Sequence, residues 1–167
     1  MKILALDSSG LVASVAVVEN DTLLAEYTVN YKKTHSQTLL PMLDEISNMT
    51  ELDLSTIDAI AVAGGPGSFT GLRIGSATAK GLGLALEKPL ISIPTTAAIA
   101  YNIWDTDKFV CPIMDARRNQ VYTGVYCYTD HRLDTVWEQD TMSIEALAEG
   151  LNCLDHEVIF LGDGVAV

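Results

Sequence analysis

The apolar positions fall into short blocks of two different periods. Lys2–Leu6, Val12–Val18 and Thr22–Val29 read as three strands, the first a short continuous apolar run of the kind found in a buried central strand. Glu19–Thr22 joins the second strand to the third through Asn20 and Asp21, both good hairpin-turn formers. A helix is predicted from about Ser36 to Met49 and a strand over Ile57–Ala63. Then come a glycine-rich loop, a long helix over Thr70–Glu87, a strand over Leu90–Ile93 and a helix opening near Thr95 after Pro94. Beyond the polar stretch Trp104–Lys108, Phe109–Met114, Gln120–Tyr128 and Leu133–Thr141 read as strands. Ser143–Leu151 reads as a short helix and Glu157–Leu161 as a last strand. Each block passes from strands to helix to strand, so two α/β domains are expected, 1–104 and 105–167.

Two helices carry more than a simple amphipathic stripe. At about 100° per residue, Leu39, Leu40, Met42, Leu43, Ile46 and Met49 spread over about 180° of the first helix, wider than the ~100° of an ordinary surface helix. Pro41 lies inside this stretch and is expected to kink it. On the second long helix Gly71, Gly75, Ala79 and Gly83 recur every fourth residue. An interior glycine costs about 1 kcal/mol against alanine, so close approach of another backbone along this ridge is expected to offset the loss. Two readings remain open: tight packing inside one domain, or an exposed docking face for another chain.

The loop before that helix, "GGPGSFTGLRIG" over 64–75, resembles a phosphate cradle without satisfying either standard pattern. It has no Gly-Lys-Ser/Thr, and the dinucleotide spacing is half met, because Thr70 stands where the third glycine belongs and Gly71 follows one place late. Glycines that admit positive φ, a proline that fixes a turn, and Ser68 or Thr70 as cap explain the loop without a ligand. Arg73 lies near the positive end of the helix, where a cation is disfavoured, so an acidic partner for it is expected within the chain or on another protein.

Composition narrows the functional classes. The 167 residues carry 22 Asp and Glu against 10 Lys and Arg, a net charge of −12 that disfavours autonomous nucleic-acid binding. Lys32–Lys33 and Arg117–Arg118 are local basic spots. No run approaches the ~18 apolar residues of a membrane span, and the opening "MKILALDSSG" reads as a strand, not a leader. Cys111, Cys127 and Cys153 form no paired spacing, which suggests reduced thiols and a cytoplasmic setting. His35, His131 and His156 are scattered, with no metal-binding pair. "LDSSG" over 6–10 resembles the first phosphate loop of the actin, hexokinase and Hsp70 superfamily, with Asp7, Ser8 and Ser9 in the relevant places. The matching turn of a second domain is "MDARRN", where Asp115 is followed by bulky arginines where backbone should approach phosphate.

Taken together, "ILALDSS", "HSQTLLPML" (His35–Leu43), the glycine block followed by "AKGLGLALEKPLI", and "MDARRNQVY" (Met114–Tyr122) closely resemble the bacterial TsaB (YeaZ) family. The resemblance implies an α/β, RNase H-like, two-domain ASKHA (actin/hexokinase/Hsp70) fold with mixed sheets and flanking helices, the second domain unfinished at Val167. It implies a non-catalytic subunit without cofactor or catalytic residues, which binds the paralogue TsaD together with TsaE. Their product would be N6-threonylcarbamoyladenosine beside the anticodon of tRNA, touched by this chain only through the complex. Alone, such a chain would form a homodimer through the same surface. The expected interface is His35, Leu39, Met42, Leu43, Ile46, Met49, Gly71, Arg73, Gly75, Ala79 and Gly83. A vestigial nucleotide site is expected at Asp7, Ser8, Ser9 and Asp115. TsaD binds metal through two histidines four residues apart, where this chain has Thr95 and Ile99, neither of which is a good transition-metal ligand. The alternatives are a metalloprotease-type glycoprotease and an independent ATPase of the superfamily.

Overall fold

A computed structural model describes residues 1–31 and 35–166; the Lys32–Lys33 basic spot lies outside them. The chain divides into two compact units, Met1–Ile93 and Pro94–Val167.

In the first unit, β1 (Lys2–Asp7), β2 (Ala13–Glu19), β3 (Thr22–Val29), β4 (Ala59–Gly65) and β5 (Leu90–Pro94) form one sheet in the order β3-β2-β1-β4-β5. β1 runs antiparallel to β2, with Ala5 opposite Ala16, and parallel to β4, with Ala5 opposite Ala61. The β2–β3 hairpin turns at Asn20 and Asp21, with φ of 47° and 65°, the left-handed pair that matches the strand twist. α1 (Leu39–Thr50) and α2 (Phe69–Leu86) cover one face of the sheet. Leu4, Leu6, Val15, Val17, Ile60 and Val62 from the strands meet Leu39, Met42, Leu43, Ile46 and Ala79 from the helices in a single core. Full burial of each larger aliphatic side chain is worth about 1.5–3 kcal/mol, so this contact fixes both helices on the sheet.

Pro41 was expected to kink a helix running from about Ser36. α1 starts at Leu39, so Pro41 falls in the first turn, where its missing N–H would have had no partner inside the helix. Ser68 caps α2, its hydroxyl accepting from the Gly71 N–H at 3.3 Å.

The second unit has its own sheet, β8-β7-β6-β9, from β6 (Phe109–Arg117), β7 (Gln120–Thr129), β8 (Arg132–Ser143) and β9 (Val158–Leu161). β6 is antiparallel to β7 and parallel to β9. α4 (Ile144–Asn152), capped by Ser143, packs Leu147 and Leu151 onto Cys111, Val121 and Val125. α3 (Thr95–Ala100) belongs to this unit, its Ala100 packing with Val110 and Tyr126. The units therefore divide at Ile93/Pro94, ahead of the polar stretch Trp104–Lys108 where the sequence suggested a boundary, because α3 finds its apolar partners on β6 and β7.

A buried polar relay ties α3 to this sheet. The Tyr126 hydroxyl donates to Thr96 Oγ1 at 2.7 Å, and Thr96 donates to Gln139 Oε1 at 2.9 Å. Burial pushes the Tyr126 phenol above its ordinary pKa, against a smaller lowering by the Thr96 hydrogen bond, so it serves as a neutral donor. Thr96→Val is expected to cost about 1–3 kcal/mol in urea unfolding, since it leaves the Tyr126 hydroxyl buried and unpaired. Tyr126→Phe should cost less, because Thr96 keeps Gln139.

Candidate functional site

Where β1 ends, the "LDSSG" loop folds down onto the start of α2. The Asp7 carboxylate accepts from the Ser9 N–H at 2.7 Å and tightens the turn. Ser8, only 2% exposed, donates its hydroxyl to the Gly71 carbonyl at 2.8 Å, and the Ser68 N–H donates to the Ser9 carbonyl at 2.6 Å. From the 3-10 turn His35–Gln37, His35 Nε2 donates to the Gly10 carbonyl at 2.9 Å. The Ser8 hydroxyl, the Ser9 N–H and carbonyl and the Gly10 carbonyl are thus engaged within the unit.

This seam accounts for the glycine ridge. A Cβ on Gly71 would lie 2.0 Å from the Ser8 carbonyl oxygen, and one on Gly75 would lie 2.5 Å from Ser8 Oγ. At the other end of α2, a Cβ on Gly83 would meet Leu90 Cδ2 at 2.8 Å. At Gly71 the expected close approach of a backbone is present, and that backbone is the chain's own β1–β2 loop, whereas Gly75 and Gly83 are approached most closely by side chains. Gly71, Gly75, Ala79 and Gly83 are all buried, so they do not form an exposed docking ridge. The same correction applies to Leu39, Met42, Leu43 and Ile46, which face the sheet core; His35 is half-buried, its ring held against the loop.

The outward faces of the two helices are a different set. On α1, Leu40, Asp44, Glu45 and Met49 are exposed, Met49 by 77%. On α2, Phe69, Arg73, Ala77, Lys80 and Leu84 are exposed, Leu84 by 84%. These α2 residues fall within one stripe at about 100° per residue, opposite the glycines. Arg73 was expected to find an acidic group within the chain or on another protein; among the described residues no carboxylate pairs with it, and its guanidinium lies over the Phe69 ring, 3.8 Å from the centroid. Of the expected interface residues, Met49 and Arg73 alone lie on this outer surface. Leu40 belongs to the apolar arc read from the sequence, whereas Phe69, Lys80 and Leu84 were not anticipated, although the positions left over once the core stripe is subtracted would have found them.

In the second unit Asp115 serves its own hairpin. Its carboxylate accepts from the Arg117 N–H at 2.7 Å and pairs with Arg117 Nη1 at 3.3 Å. Arg117, Arg118 and Asn119 follow in left-handed conformation, with φ of 69°, 56° and 59°. Asp163 accepts from the Asp115 N–H at 3.3 Å, and Gly162 packs its backbone against Ile113, where a Cβ would come 2.3 Å from the carbonyl oxygen.

Groups with nucleophilic or metal-binding chemistry lie apart. Among the described residues no three of His, Cys, Asp and Glu come together as metal ligands. His131 pairs with Asp105 at 2.5 Å and His156 donates to the Asp107 carbonyl at 3.0 Å. Thr95 is buried at the start of α3, its hydroxyl without a partner among the described residues. Burial pushes the Cys111 thiol above its ordinary pKa, only partly opposed by a hydrogen bond with Thr123, which makes it a poor nucleophile.

The fold is a mixed sheet in each of two units with flanking helices. An activator of 2-hydroxyisocaproyl-CoA dehydratase from Clostridium difficile matches it with a TM-score of 0.50 at 14% identity, over 91% of this chain and 53% of that one. YeaZ from Pseudomonas aeruginosa matches with a TM-score of 0.77 at 31% identity, over 86% of this chain and 68% of that one. Residues 22–167 match the family model described as TsaD, tRNA N6-adenosine threonylcarbamoyltransferase. The chain is 37% identical over 162 residues, 97% of its length, to the tRNA threonylcarbamoyladenosine biosynthesis protein TsaB of Bacillus subtilis (strain 168), spanning 71% of that protein. It is 32% identical over 170 residues to the TsaB protein of Escherichia coli (strain K12), spanning 72% of it. The chain belongs to the TsaB (YeaZ) family of tRNA threonylcarbamoyladenosine biosynthesis proteins. No described helix is long and apolar enough to cross a membrane.

Proposed function

We propose that this chain is the non-catalytic, activating subunit of a cytoplasmic threonylcarbamoyladenosine-forming complex, and that it acts by docking on a TsaD-family protein. The observation that carries the reading is the outer surface of α1 and α2. Both helices are fixed on the sheet by a closed core, yet they leave Leu40, Met49, Phe69 and Leu84 in solvent. Large apolar side chains held on rigid elements make good anchors for a partner, since little side-chain or backbone freedom is lost on binding. The transfer chemistry belongs to the TsaD-family partner and ATP turnover to TsaE, while tRNA meets this chain only within the assembly. Without its partner the chain pairs with a second copy through the same face.

Reconstitution with TsaD, TsaE, ATP, a threonylcarbamoyl donor and tRNA tests the reading. Modified adenosine is expected to require this chain, and the chain is expected to elute together with TsaD in size-exclusion chromatography. Full modification in its absence, or persistent separate elution, would overturn the proposal. Metal analysis and turnover of the chain alone, with and without chelator, give the protease and ATPase alternatives the chance to appear.

A further inference from the structure

We infer that the exposed stripe of α2 receives an acidic helix of the partner, one that places a large apolar side chain between carboxylates. The inference rests on the docking reading above and specifies the chemistry of its other half. Phe69, Leu72, Arg73, Ser76, Ala77 and Lys80, all from α2, border a shallow depression that is open to solvent along the helix surface. Its walls are apolar at Phe69, Leu72 and Ala77, and Arg73 and Lys80 give it two positive charges. α2 has no acidic residue along its 18 positions, in a chain where acidic residues outnumber basic ones by 22 to 10. Among the described residues neither Arg73 nor Lys80 has a carboxylate within ion-pair distance.

Two unpaired cations on an apolar stripe are costly to cover with a neutral surface and favourable to cover with an acidic one. Stacking on Phe69 holds the Arg73 guanidinium in place, so a carboxylate can bind it without ordering a free side chain first. Arg73 also stands in the first turns of α2, where the helix terminus favours an anion and disfavours the arginine by itself. A carboxylate opposite it meets both positive sources. α1 of a second copy, with Asp44 and Glu45 beside Leu40 and Met49, has similar chemistry and is the competing occupant. Two copies, however, bring net charges of −12 into contact with each other.

The test is calorimetric titration of TsaD with the wild-type chain, the Arg73→Glu/Lys80→Glu variant and the Arg73→Lys/Lys80→Arg variant, at low and high salt. Thermal melts confirm that these exposed substitutions leave the fold intact. Charge reversal is expected to weaken binding about tenfold or more, and the conservative pair to stay within a fewfold of wild type. Added salt should weaken the wild-type complex and strengthen the reversed one. Equal binding of TsaD by wild type and reversed variant would overturn the inference and leave the docking reading standing. Failure of the wild type to bind TsaD would overturn both. Sedimentation of the chain alone separates the competitor: if charge reversal changes self-association but not TsaD binding, the stripe serves a second copy and the inference fails.

Discussion

Gly71→Ala is expected to destabilise the first unit by about 3 kcal/mol or more, the cost of overpacking a site that cannot yield. The added methyl would sit 2.0 Å from the Ser8 carbonyl oxygen, which is backbone, held by the β1 ladder on one side and the Asp7–Ser9 turn on the other. Relief requires α2 to lift from the loop, which breaks the Ser8–Gly71 and Ser68–Ser9 hydrogen bonds together. Against a typical total stability of about 5–15 kcal/mol, this is a large fraction. Gly75→Ala meets the Ser8 hydroxyl at 2.5 Å, a group that can rotate away, so its cost should stay near about 1–2 kcal/mol for one lost buried hydrogen bond. Gly81, on the same helix, has nothing within 4 Å of its missing Cβ, and Gly81→Ala should stabilise by up to about 1 kcal/mol. Urea unfolding of the three variants reads the order directly. If Gly71→Ala and Gly81→Ala behave alike, the loop does not lie on the helix as described.

That graded series also shows what the sequence could reveal. The four-residue glycine spacing announced that something approaches α2 closely, and the strand and helix periods located each strand and α-helix to within a few residues. Nothing in the spacing says whose backbone approaches, because the β1–β2 loop and the glycine block are about sixty residues apart and meet only through the parallel β1–β4 pairing. The same limit applied to α1. An apolar arc of about 180° is two surfaces side by side, and only the sheet decides which half it covers. Asp115 was legible as a turn residue but not as the acceptor for Arg117, since three successive left-handed residues of non-glycine type leave no compositional mark. Arg73 was rightly singled out as out of place, and its stacking on Phe69, four residues earlier, follows from helical spacing alone.

Met42 and Met49, one helix and seven residues apart, should separate folding from docking. Met42 is 2% exposed and lies within the core formed by Leu4, Val15 and Ile60, so Met42→Ala is expected to lose about 2–5 kcal/mol through the cavity it leaves. Met49 is 77% exposed, and Met49→Ala should change stability by no more than about 0.5 kcal/mol. Its loss would appear in association instead: removing an apolar anchor should weaken TsaD binding by about tenfold if Met49 is among the residues that carry the contact, and Met49→Asp should weaken it further. Measuring unfolding and TsaD affinity on the same samples gives each variant two coordinates. Met42 variants that remain folded should keep their affinity, because the side chain never reaches the surface. Were Met42→Ala to weaken docking without loosening the fold, the inner face of α1 would have to reach the partner, and the division between core and contact surface drawn along this helix would be wrong.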